Sequence, residues 1–131
     1  MEPVGLHVDK DRDLTVITLS GLLEIEQVRH LIQRPEFGTT TRLLWDCRET
    51  SFANITRESL TSVAREQVPV VKHHVTRRVA VVVPTEDVIP FARLYFEIAR
   101  HQFDRKILSH ITTDMAAARH WLDHEDNGAD G

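Results

Sequence analysis

Short β-branched runs alternate along the chain with stretches in which apolar residues recur every three or four positions. The first two runs, over residues 6–8 and 14–20, flank the charged segment Asp9-Lys10-Asp11-Arg12-Asp13. They predict an antiparallel hairpin that ends at Gly21. Leu22, Ile25, Val28, Leu31 and Ile32 then follow helical spacing, with Glu24, Glu26, Arg29 and Arg34 off that face. Pro35 and Gly38 close this helix. A strand is predicted over 42–47, a loop over 49–54, and a second helix opening at Thr56, a residue suited to the N-cap. Leu60, Val63, Ala64 and Gln67 set the face of that helix. Pro69 must break or kink it near Val68, with the face resuming at Val71 and His74.

The second half repeats the alternation. Residues 78–83 form a run rich in β-branched valine, the pattern of a strand covered on both sides. Asp87 is expected to cap a helix over 88–102, in whose first turn Pro90 is tolerated. A last strand over 106–111 precedes a helix capped by Thr113 or Asp114, with Met115, Ala118, Trp121 and Leu122 on one face. The order β-β-α-β-α-β-α-β-α predicts a single α/β domain over residues 1–123. Its sheet should be mixed but mostly parallel, with the first strand antiparallel at one edge. The acidic, glycine-containing stretch 124–131 is expected to be a disordered tail.

Composition narrows the possible functions. The 131 residues are 41% hydrophobic and 27% charged, the balance of a globular domain rather than a disordered chain. The net charge of -4 argues against a general nucleic-acid partner. The longest pure apolar run, Val79 to Val83, is far too short for an integral membrane segment. With no export signal and one cysteine, Cys47, the expected location is the cytoplasm. A lone cysteine excludes an internal disulfide and a multi-cysteine metal site.

Few residues carry recognisable chemistry. No GxGxxG or GxxxxGK pattern occurs, so no dinucleotide or P-loop cofactor is expected. His120 and His124 have helical spacing, but no catalytic Glu flanks them, and no metal is predicted. His73 and His74 would point about 100° apart on a helix and read as a polar helix end. Cys47 reads as a small buried hydrophobe at a strand end. Ligands of open α/β sheets bind at the carboxyl ends of the parallel strands. Asp46, Arg48, Thr56 and Thr85 fall on that rim and are the candidate binding residues, although Asp46 and Arg48 can also simply satisfy each other.

The helix over 88–102 has two apolar faces. Ala92, Tyr95, Phe96, Ala99 and Phe103 form one, and Phe91, Leu94 and Ile98 the other. A sheet covers one face only, so the second needs a neighbouring helix, a second subunit or an apolar ligand. Phe91, Arg93, Leu94 and Ile98 are the candidate interaction surface, with Arg93 and Glu97 as a polar rim.

Several segments in fixed order carry a resemblance. They are Arg12-Asp13-Leu14-Thr15-Val16, Leu19-Ser20-Gly21, Pro35-Glu36-Phe37, Leu44-Trp45-Asp46-Cys47-Arg48, Ile55-Thr56, the run from Arg78 to Val83, Phe91-Ala92-Arg93-Leu94-Tyr95, and the close from Asp114 to Leu122. Over about residues 4–122 the chain resembles the SpoIIAA-like family, whose members are often labelled STAS/SEC14 domain-containing proteins. The resemblance implies a mixed sheet with packed helices and brings no general enzymatic activity. Anti-sigma-factor antagonists of this fold carry a phosphorylatable serine in an Asp-Ser-Ser/Thr-Gly turn. Here the corresponding stretch reads Ser51-Phe52-Ala53-Asn54-Ile55-Thr56, and the motif is absent. The leading expectation is therefore a non-enzymatic regulatory or protein-interaction module, acting as a homodimer. The alternative is a carrier or sensor of a small apolar, lipid-like ligand.

Overall fold

The computed structural model describes residues 4–66, 76–103 and 107–123. The predicted break at Pro69, His73, His74, His124 and the tail 124–131 lie outside them. The described residues form five strands, β1 (Val4–Asp9), β2 (Leu14–Leu22), β3 (Arg42–Ser51), β4 (Arg77–Val82) and β5 (Ile107–Thr112). Four α-helices accompany them, α1 (Ile25–Ile32), α2 (Arg57–Ala64), α3 (Ile89–Phe103) and α4 (Met115–Asp123). The strands lie side by side in chain order, β1 antiparallel to β2 and the rest parallel.

Chain order within the sheet explains the layering. The strands advance in one direction, so crossovers of one hand place α1, α2 and α3 on the same face. These three helices pack side by side. With Ile17, Leu43, Trp45, Val79 and Val81 from the sheet they enclose the main core. The helix α4 follows the last strand and packs on the opposite face. There Leu14, Leu44, Ala80 and Val82 meet Ala118 and Leu122. All six residues of β4 are buried, because the strand lies between β3 and β5 and both its faces are covered.

Local chemistry fixes the element ends. Asp13 adopts φ +53° in the β1–β2 turn, and Asp tolerates this left-handed conformation better than most residues. Its carboxylate accepts from Thr41 N at 3.0 Å, which ties the turn to the start of β3. The N-cap of α2 is Thr56, which accepts from Ser59 N at 3.0 Å while Ser59 Oγ accepts from Thr56 N at 3.0 Å. Asp114 accepts from Ala116 N at the start of α4. At the other end of that helix Arg78 donates to Trp121 O at 2.6 Å and Arg42 to Leu122 O at 3.3 Å. Cations suit this end because the last carbonyls of a helix carry partial negative charge. The Arg78 guanidinium also lies 4.0 Å from the centre of the Trp121 ring, which His110 stacks against.

Three predicted boundaries change. The strand β2 does not stop at Gly21, and β3 does not stop at Cys47. After a register shift, Ser20, Gly21 and Leu22 pair with Glu49, Thr50 and Ser51. The first half of the predicted 49–54 loop is therefore strand, and Gly21 supplies a positive φ of 78° in the paired end of β2. Leu22 ends β2 rather than joining α1, and it is half-exposed. The entry to α3 also differs. Thr85 is the N-cap of a 3-10 turn, Glu86–Val88, so Asp87 lies inside this turn rather than capping the helix.

Candidate functional site

The main core does not close completely. A cavity of about 80 Å³ remains between the sheet and the helices. Leu19, Trp45, Cys47 and Val81 from three adjacent strands line its sheet side. Val28 of α1 and Leu60 of α2 line it laterally, and Phe91, Ala92, Tyr95 and Phe96 of α3 complete it. The surface its walls expose is wholly apolar. Two rings of α3, Tyr95 and Phe96, stack edge to face at 5.1 Å, and Ala92 one turn earlier is too small to fill the space beside them.

A larger, more open basin of about 460 Å³ adjoins this cavity and shares Phe52, Ile55 and Phe91 with it. Thr50, Ser51, Pro84, Thr85 and Asp87 supply much of the remaining wall. The basin lies where β3 and β4 end, at the carboxyl edge of the parallel strands, which is the usual ligand position in open α/β sheets.

A β-bulge brings Thr50 here. Thr18 pairs with Asp46 and Ser20 with Glu49, so two steps along β2 match three along β3. The extra residue reverses the alternation of β3 beyond it. Without the bulge Thr50 would share a face with Asp46 and Arg48. With it, Thr50 is buried and lines the basin on the helix side, as Cys47 lines the inner cavity.

The predicted rim residues are not gathered into one site. Asp46 and Arg48 alternate with Cys47 and so fall on the α4 side of the sheet. They form a two-point ion pair, with Arg48 donating through Nε and an NH2 nitrogen at 2.9 Å each. These hydrogen bonds hold the Asp46 carboxyl below its ordinary range, and Arg119 adds to the effect. Thr56 is committed to capping α2, and only Thr85 of the four lines the basin. Thr50 and Phe52 lie in the stretch read as a loop. An apolar Phe within that polar segment was the available signal; the bulge has none.

The α3 candidates divide as well. Phe91 and Leu94 are half-buried and pack against the main core, where α2 lies beside α3. Arg93 is exposed, and Ile98 is half-buried. Phe91, Arg93 and Leu94 also line a surface groove with Arg57, Asp87 and Glu97.

Burial governs the titratable groups around the cavity. Burial, with the Asp46 charge adding to it, pushes the Cys47 thiol up to about 12. A thiol at that value is not a nucleophile at neutral pH. Burial likewise raises the Tyr95 phenol to about 12, assisted by Glu66 and opposed by Arg77. Among the described residues no group of three His, Cys, Asp or Glu side chains is placed to hold a metal ion. No described helix is long and apolar enough to cross a membrane.

Comparison with protein-family models, curated proteins and solved structures finds no match to this chain.

Proposed function

We propose that this chain is a non-enzymatic binding module of the SpoIIAA-like, STAS/SEC14 type, and that it holds a small apolar ligand between its sheet and α3. The observation that carries this reading is the inner cavity, whose exposed walls are apolar throughout. Apolar cavities stay dry and take up apolar guests; one of ~150 Å³ admits benzene. At about 80 Å³ this one suits a chain of a few carbons or the end of a longer one. The mixed, mostly parallel sheet with packed helices is compatible with an α/β fold, and the high value of the buried Cys47 thiol supports a binding role over a catalytic one.

Contact with a protein partner or a second copy is the other reading. It draws on the groove that Arg57, Asp87, Arg93, Leu94 and Glu97 line, where charges of both signs border apolar surface. The half-burial of Phe91 and Leu94 within the chain's own core weakens it.

Native mass spectrometry of the protein isolated from its own host tests the first reading. The expected result is a small apolar molecule that leaves on denaturation. A bare dimer that binds no short-chain alkyl probe would overturn it in favour of the interaction module.

A further inference from the structure

We infer that the basin beside the inner cavity is a head-group site, and that the ligand is an amphiphile with a short alkyl tail and an uncharged hydroxyl head held by Thr50. The inference rests on the apolar-ligand reading above and adds the polar end of the ligand to it.

Thr50 motivates the inference. It is 5% exposed, and its Oγ1 is buried with no hydrogen-bond partner among the described residues. Buried hydroxyls are nearly always paired, because leaving one unpaired forfeits its hydration without replacement. This one belongs to a side chain that lines the basin. A 120° rotation about χ1 to another staggered position carries the hydroxyl into the place of the methyl group or of the hydrogen, so the oxygen can turn toward a ligand in the basin. The bulge that turns Thr50 to this side is a device common beside binding sites.

The walls select the head group. The basin offers the hydroxyls of Thr50, Ser51 and Thr85 and one carboxylate, Asp87, with no cation among its described lining residues. A carboxylate or phosphate head would face Asp87 without a counter-charge. An alcohol can accept from Thr50 and donate to Asp87, using both of its hydrogen-bonding capacities. The two compartments share Phe52, Ile55 and Phe91, so one molecule can place its tail in the inner cavity and its head in the basin.

Titration with n-pentane, 1-pentanol and pentanoate separates the possibilities, read from the methyl chemical shifts of Leu19, Val28 and Val81. Thr50→Val keeps the shape and removes the hydroxyl. It should raise the Kd for 1-pentanol about fivefold, the value of one neutral hydrogen bond, and leave that for n-pentane unchanged. Thr50→Ser should restore 1-pentanol binding. Pentanoate should bind the natural protein more weakly than 1-pentanol, and Asp87→Asn should narrow that gap. If n-pentane binds but 1-pentanol ignores Thr50→Val, the head-group site is wrong and the apolar cavity stands. If pentanoate binds as well as 1-pentanol, the choice of an uncharged head is wrong. If no probe binds the natural protein, the apolar-ligand reading falls and this inference with it.

Discussion

Filling the inner cavity from within should stabilise the protein and block its binding. Ala92 lines the cavity from α3, between the aromatic residues that complete the wall. Ala92→Leu adds three carbons at that point. Three buried carbons are worth at most ~2.4 kcal/mol at ~0.8 kcal/mol each. Ordering the leucine side chain costs about 0.5–1 kcal/mol, and its slightly lower helix propensity a few tenths more. A net gain of about 1 kcal/mol remains, equivalent to a rise in Tm of roughly 3–6 °C for a chain of this size. Urea unfolding should show a higher midpoint with an unchanged slope, since the native surface barely changes. The same variant should lose its methyl shifts with n-pentane. A variant destabilised by about 1–3 kcal/mol would refute the reasoning, because that is the penalty for overpacking a site with no spare volume. Stabilisation with intact pentane binding would refute it too, by placing the guest elsewhere.

Other expectations follow from the same geometry. Val82→Asp should abolish soluble, cooperative folding, since Val82 is wholly buried in β4 and Asp46 is its register partner in β3; the soluble fraction and a thermal melt check this. Cys47 should resist a thiol-specific reagent at pH 8 in the native protein and react fully in guanidinium, because its thiol titrates at about 12; rapid native labelling would contradict its burial. Burial lowers the pKa of His110 from its ordinary 6.5. The unfolded chain therefore takes up the proton first, so the stability is complete above about pH 6.5 and falls as pH drops through the folded value. His110→Phe, which keeps a ring beside Trp121, should flatten the dependence of Tm on pH between 7 and 5 relative to the natural protein. Equal slopes for the two would show that His110 does not carry it.

The local pattern of residues determined the element types and their order. Burial repeats every two residues in a strand and every 3.6 in a helix, so the run from Val79 to Val83 and the Met115–Leu122 stripe declare themselves without reference to the rest of the chain. Capping is equally local, which is why Thr56 at α2 was readable from its neighbours. The candidate site was much less legible. Simple alternation along β3 already carries Asp46 and Arg48 to the α4 side, away from Thr85, and by the same alternation Thr50 would follow them. The bulge in β3 breaks that alternation between Asp46 and Glu49. A bulge arises from the fit of β3 against β2, two segments separated by a whole helix, and no spacing within either one announces it. The inner cavity is likewise a property of assembly. It exists because side chains from β2, β3, β4 and three helices meet without filling the space between them, and that depends on where each helix axis settles rather than on any residue alone.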